Sequence, residues 1–423
     1  MDREATLSMR HHSRSLWVVF GIVLVDIMGF GILIPILPKL VEQMTGGEVA
    51  EASRFYGLLL ASFALMSFLF SPILGGLADR FGRRPVLLLS LGGLTVDYVI
   101  LALAPSIGWL FLGRIIAGAC SATVSVTSAY VADTSPPQER AANFGFTGVA
   151  VGLGFISGPL IGGLLGEVSA RAPFWAAAGL AFANCVACYF LLPESLRPEN
   201  RRRFRLRDAN PIGAVVAAGR LRVVAVLLVV CFLINLAGRM LESTWVLYTG
   251  YRYNWGSFEV GLSLAAFGLL FAGAQAILVR FLAERIGEWR TLILGLIIGV
   301  GSFVTFALAA RGWAMSATIL PYAIATGISG PALQALATRA TAADKQGLLQ
   351  GALASLITAT GVIGPPIGAV LFSYFIGTSA PFIFSGAAFV FAAFLLVSAL
   401  AVMFVQRKRI PHEHRSHGRA AQP

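Results

Sequence analysis

Long apolar runs, broken by short polar segments, set the plan of this chain. Runs of spanning length lie near residues 16–40, 55–78, 85–104, 109–131, 143–166 and 173–192. A second set lies near 223–248, 258–283, 291–310, 314–337, 346–376 and 380–405. A bilayer core about 30 Å thick takes roughly 20 apolar residues per helix, so the pattern predicts twelve membrane-crossing helices. The break between the sets, 193–222, opens with Pro193, Glu194 and Ser195 and runs on through Arg201, Arg202, Arg203, Arg205 and Arg207. Such a stretch stays out of hydrocarbon. The expected division is a six-helix bundle over 1–192, a linker over 193–222, a second bundle over 223–405 and a tail over 406–423.

The two sets repeat each other. "GLLLASFAL" from Gly57 returns as "GLSLAAFGL" from Gly261, identical at six of nine positions. "LADRFG" from Leu77 returns as "LAERIG" from Leu282, and "GPLIG" at 158–162 as "GPPIG" at 364–368. The fold class expected is therefore all-α and membrane-integral, with twelve helices in two pseudo-symmetric bundles. Repeats of this kind place a binding site near mid-membrane, between the halves.

Composition agrees with that picture. Of the 423 residues, 57% are hydrophobic and 12% charged, against about 25% charged in an ordinary soluble domain. Mean hydropathy is +0.79. The net charge of +12 invites a nucleic-acid partner, but its placement points elsewhere. Twenty-five of the 32 lysines and arginines fall on one side of the predicted membrane, five on the other and two inside helices. That bias marks the cytoplasmic side, so both termini are expected there, with the basic face meeting anionic lipid. Cys120, Cys185, Cys188 and Cys231 all sit in apolar runs and read as small packing residues. His11, His12, His412, His414 and His417 lie only in the tails. No metal site and no cofactor are expected. The N-terminal segment with Arg3, Arg10 and Arg14 reads as a retained tail, not a cleaved leader.

The densest local signal is "GGLADRFGRRP", Gly75 to Pro85, between the second and third helices. Gly75 admits a close helix neighbour, Gly82 a tight turn, and Pro85 suits a first helical turn. Asp79 stands at a helix C-terminus, where the dipole disfavours it. Arg80, Arg83, Arg84 or a neighbouring helix N-terminus must hold it, and the cluster reads as a conformational latch. In the fourth helix Arg114 and Gly118 are four apart. In the fifth, "GFISGPLIGG" carries Gly154, Gly158, Pro159, Gly162 and Gly163, a small-residue stripe with a proline that can serve as a hinge. These three segments, in this order, resemble the signatures of the major facilitator superfamily, the last one a pattern associated with its antiporters. "DIMGFGILIPILP" from Asp26 resembles the first helix of drug:proton antiporters, and "SAYVAD" at 128–133, "FLLPES" at 190–195 and "PALQAL" at 331–336 extend the likeness to the tetracycline-efflux pumps. The resemblance implies a transporter and not an enzyme. It implies export of a drug-like small molecule against protons, from a monomeric working unit in the bacterial inner membrane.

Charges embedded in the membrane cost about 2.5–3.5 kcal/mol each on insertion scales, so each needs a reason. Asp26 and Asp97 fall mid-membrane in the first and third helices, and Arg114 in the outer half of the fourth. Desolvation disfavours a charged carboxylate and a nearby arginine favours it, so Asp26, paired with or released from Arg114, is the expected proton carrier. A static ion pair is the alternative. Arg239 and Glu242 share a face of the seventh helix at i, i+3, with Asn235 a turn earlier. This face reads as cavity lining with Glu242 a second proton or cation site, or as a locally satisfied pair. Gln275 and Gln334 serve substrate or neighbouring helices. Trp245 and Tyr248 read as interfacial anchors or substrate contacts.

Two departures stand against the tetracycline-pump pattern. Phe271 occupies the eighth-helix position where those pumps carry histidine, and Gly299 the ninth-helix position where they carry aspartate. Conversely, Arg239 and Glu242 stand where they carry uncharged residues. A transporter of an endogenous metabolite is the second reading. A membrane enzyme or receptor is the third, without a nucleotide loop or metal cluster to support it.

Overall fold

The computed structural model describes residues 2–201, 211–219, 222–378 and 380–406, and among these every regular element is helical. The first crossing is α1 (Asp2–Leu33), continued after a break at Pro35 by the short α2 (Leu37–Met44). Then come α3 (Val49–Phe81), α4 (Arg83–Leu103), a crossing split into α5 (Ile107–Ala119) and α6 (Thr123–Thr134), α7 (Arg140–Val168) and α8 (Ala172–Leu191). After α9 (Pro211–Gly219), the second half runs through α10 (Arg222–Tyr253), α11 (Ser257–Gly273), α12 (Val279–Leu308), α13 (Gly312–Arg339), α14 (Gln346–Ile376) and α15 (Ala387–Val405). A π-helical turn, Ala274–Leu278, joins α11 to α12.

Eleven stretches are long and apolar enough to cross a membrane, and one of them, Ser257–Leu308, has 52 residues. At 1.5 Å per residue that is about 78 Å, more than twice the hydrocarbon thickness. It breaks at Gly287, whose φ of 80° and ψ of 161° are not helical, so it makes two crossings and the total is twelve. Gly82, at the matching place in the first half, has φ 111° and ψ 161°. A positive φ here suits only glycine, which is why both copies of the "G" in LADRFG and LAERIG are kept.

The segment between the halves is not linker alone. Its apolar stretch folds as α9 and packs on α14 and α10, a difference from the pattern reading, which assigned all of 193–222 to a charged connection. The arginines at 202–210, residues 220–221 and the tail from 407 lie outside the described residues, and so do the side chains of the first fourteen.

Within each half the strongest packing is α1 on α7, α4 on α8, α10 on α14 and α12 on α13. The halves meet at two junctions, α3 with α14 and α7 with α11. At the first, a Cβ on Gly57 would lie 2.9 Å from the Pro365 carbonyl oxygen. At the second, a Cβ on Gly261 would lie 3.1 Å from Gly163 Cα. Each repeated "GL" segment therefore docks on the other half's "GP" segment. Lipid offers helices no hydrophobic drive to associate, so such close small-residue contact is what joins them. Both junctions lie toward the end of the bundle away from the Gly82 loop; we call this the far end, and the other the basic end. The outer surface is apolar, with Phe190, Ile383 and Val405 each more than 70% exposed.

Candidate functional site

Asp26 lies near the middle of the first crossing, and its Oδ1 accepts a hydrogen bond from Thr123 Oγ1 at 3.2 Å. Thr123 is the first residue of α6. The carboxylate thus stands at the N-terminus of a half-helix deep in the membrane, where free N–H groups and the helix dipole favour negative charge. The fourth crossing is interrupted here, with Ala122 N–H bonded to Cys120 O at 2.9 Å instead of continuing the helix. Irregular backbone at this depth is tolerated where it lines a cavity. It does so here: a cavity of about 350 Å³ is lined by Asp26, Phe63, Tyr98, Arg114, Ser121 and Thr123, among others.

Arg114 faces the same cavity, but its ion pair is with Asp97, not Asp26. Arg114 Nη2 meets Asp97 Oδ2, with the side chains 4% and 0% exposed. This corrects the pairing expected from the sequence, and Gly113 supplies the reason. A Cβ there would lie 2.7 Å from Asp97 Oδ1, so the missing side chain lets α5 press onto α4 and brings the next residue onto Asp97. The pair is single-pointed: Asp97 Oδ1 and Arg114 Nε are buried without a hydrogen-bond partner.

In the second half Arg239 Nη1 donates to Glu242 Oε2 at 2.7 Å, on one face of α10 as the spacing predicts. This pair is open, with side chains 36% and 59% exposed. Tyr322 on α13 is within electrostatic reach of both. Tyr56, on α3 of the other half, is within electrostatic reach of Glu242 and of Arg114. Asn235 turns back on its own helix, donating to Cys231 O at 2.9 Å. Gln334 donates to Gln350 at 2.9 Å, tying α13 to α14. Gln275 is exposed within the π-helical turn. Trp245 and Tyr248 are neither anchors nor cavity groups. Both are buried, Trp245 Nε1 bonding Ser263 at 3.0 Å and Tyr248 bonding the Phe306 carbonyl at 2.8 Å.

At the basic end Arg83 holds Asp79 at 2.5 Å and Asp133 at 3.0 Å. Glu194 accepts the backbone N–H of Arg83 at 2.8 Å and of Arg84 at 3.1 Å, capping α4. Arg84 donates to the Tyr189 carbonyl, and Arg80 stacks on Phe81. Asp133 and Glu194 were visible only as parts of familiar text, not as charge partners. The second half keeps the arrangement with polarity reversed: Glu288, at the place of Arg83, pairs with Arg339, at the place of Asp133, at 2.5 Å. Gly75 has open space where its side chain would be, since a Cβ there would meet nothing within 4 Å. In the fifth crossing Gly154, Gly158, Gly162 and the Pro159 ring bed against α1, while Gly163 and the Pro159 carbonyl face α11. Among the described residues no three His, Cys, Asp or Glu side chains converge as metal ligands.

The family model of the Major Facilitator Superfamily matches residues 19–355. The chain belongs to the Major Facilitator Superfamily. It is 41% identical to the class C tetracycline resistance protein of Escherichia coli, over 85% of this chain and 90% of that one. It is 33% identical to the class H protein of Pasteurella multocida, over 94% and 98%. Among solved structures it is similar to a bacterial homologue of the human lysosomal transporter Spinster in an inward-facing, unoccupied conformation. The TM-score is 0.75, with 16% identity over 95% of this chain and 98% of that one, a likeness of fold. The superfamily's members are transporters, and this one is a multi-pass membrane protein.

The two departures from the tetracycline-pump pattern have structural surroundings. Phe271 stacks on Phe267 at 5.9 Å, and Phe267 stacks on Tyr322 at 5.5 Å, so an aromatic row stands where the pattern has histidine. Gly299 is buried against α15, where a Cβ would lie 2.8 Å from Leu396 Cδ1. An aspartate there would require Leu396 to shift.

Proposed function

We propose that this superfamily member is a proton-coupled antiporter exporting tetracycline, or a similar amphipathic drug, across the bacterial inner membrane by alternating access. Asp26 carries the reading: a carboxyl group at mid-membrane, facing a cavity and seated on the N-terminus of a broken helix. Protonation removes its hold on α6, and loss of the proton restores it. A group whose two states favour two helix positions can couple proton movement to the rocking of the halves. The distribution of lysine and arginine puts both termini and the basic end in the cytoplasm. The far end is then outside, so the halves are sealed outside and the cavity is served from within. The proton is loaded from outside, where substrate leaves, and released inside, where substrate binds.

The tetracycline resistance relatives support the substrate class. Phe271 and Gly299 move recognition in the second half to Arg239, Glu242 and Tyr322. A single copy of the chain is the working unit, with anionic headgroups against its basic end. In a sensitised bacterium, expression should raise tolerance to tetracycline. In inverted vesicles with an acidified lumen, added tetracycline should drive protons out. A lumen pH unmoved by tetracycline and by cationic dyes would remove the reading in favour of an endogenous metabolite, for which the open Arg239–Glu242 pair suits a charged substrate.

A further inference from the structure

The two junctions between the halves occupy matching places in the repeat, yet their polar contacts differ. At the α3–α14 junction Ser53 Oγ donates to the Ala369 carbonyl at 3.1 Å, and Arg54 Nε donates to Ser373 Oγ at 2.8 Å. At the α7–α11 junction the counterparts of Ser53 and Ser373 are Ser257 and Glu167. Glu167 Oε1 accepts the backbone N–H of Ser257 at 3.1 Å and of Phe258 at 3.3 Å. Lys39 Nζ donates to Ser257 Oγ at 3.0 Å.

These contacts make a carboxylate of one half the cap of a helix in the other. The N-cap residue of α11 is Gly256, which has no side chain to offer, and α11's own Glu259 accepts only the Gly256 N–H, at 2.7 Å. The next two donors of the first turn are taken by Glu167. A carboxylate at a helix N-terminus satisfies orphan donors and meets the positive end of the dipole. Here that happens only while the far end is shut. When the halves part, Ser257 and Phe258 lose their acceptor and Glu167 loses its donors. Glycines set the distance: Gly163 and Gly166 lie against the Ser257 carbonyl and side chain, so the carboxylate is carried to the helix end by backbone contact.

We infer that Glu167 is the gate residue of the far end, a positioning residue that biases the transporter toward the outward-closed state by capping α11 across the interface. The inference rests on the alternating-access reading above. Capping contacts of this kind correspond to about a fivefold to tenfold change in an equilibrium.

The test uses the full chain in lipid nanodiscs, with its four cysteines replaced and spin labels at Gly47 and Thr378, on far-end loops of the two halves. Distances between the labels are measured without substrate for the wild type, Glu167→Gln and Glu167→Ala. Both variants should raise the long-distance population about fivefold, the alanine variant at least as much as the glutamine. Ser373→Ala, which removes a single side-chain bond to Arg54 and uncaps no helix at the matching place, should move it less. Distances unchanged in both Glu167 variants would overturn the assignment, and so would a shift no larger than that of Ser373→Ala. If the alanine variant does not fold, the glutamine variant decides alone. The readout needs no drug, so a chain that shows the Glu167 shift but exports no tetracycline would sink the substrate reading and leave the gate standing.

Discussion

At the scale of the residue, the proposed coupling rests on one carboxyl group and one ion pair. Asp26→Asn keeps the size and a Thr123 contact but cannot exchange a proton. Uphill, proton-driven export should fall to background in inverted vesicles, while downhill exchange of labelled substrate persists; undiminished uphill export would remove Asp26 from coupling. Arg114→Ala should act differently, because it strands Asp97 as a buried charge. Breaking such a pair costs about 3–5 kcal/mol, so the variant should lose thermal stability in detergent, and Asp97→Ala with Arg114→Ala should regain most of it. The embedded ionisable residues were legible because an aspartate in an apolar run is costly and needs a reason, whether a proton or an ion pair. Their partners were not. Arg114 chooses Asp97 over Asp26 because of a missing side chain at Gly113, and packing distance leaves no trace in a single sequence. Thr123, Tyr56 and Tyr322 were missed because threonine and tyrosine are ordinary in a membrane helix.

At the scale of the element, the twelve crossings were legible, with ends that differ by up to about seven residues, since hydropathy over about 20 positions averages out local noise. The break in the fourth crossing was not. Cys120, Ser121 and Ala122 are all tolerated in helices, and only the cavity beside Asp26 accounts for their leaving one. The apolar α9 was hidden by the arginines around it. The basic-end ion pairs show what the repeat conserves: the place of the contact, with Arg83–Asp133 in one half and Glu288–Arg339 in the other, not its sign. Arg339→Glu should therefore set two acids together and lower stability by about 1 kcal/mol or less, given the exposure of Arg339. Adding Glu288→Arg should restore it. Thermal unfolding of the two variants checks this, and a double variant no better than the single would mean that the pair has no net interaction.

At the scale of the whole molecule, alternation requires that each end can close, and the glycines say which end is closed here. A Cβ at Gly57 or Gly261 would strike the other half, whereas one at Gly75 would meet nothing within 4 Å. If the basic end closes in the opposite state, Gly75 is where a neighbour must arrive, which is why a glycine read from the sequence as a contact residue is without one in this state. Leucine at these positions should then act in opposite directions. Gly57→Leu or Gly261→Leu forces about four extra carbons into a filled junction, and overpacking of that kind costs about 1–3 kcal/mol, or roughly 5- to 150-fold in the closing equilibrium. The far end should stand open. Gly75→Leu should leave this state untouched and obstruct the other. A single cysteine at Ser128, which lines the cavity, reports the difference through an impermeant maleimide. Relative to the glycine parent, Gly57→Leu should speed labelling from the outside and slow it from the cytoplasm, and Gly75→Leu should do the reverse. Both should stop export, because a transporter held at either end of its cycle moves nothing. Equal labelling from both sides in all variants would mean that the glycine contacts are packing alone and that the halves do not rock about them.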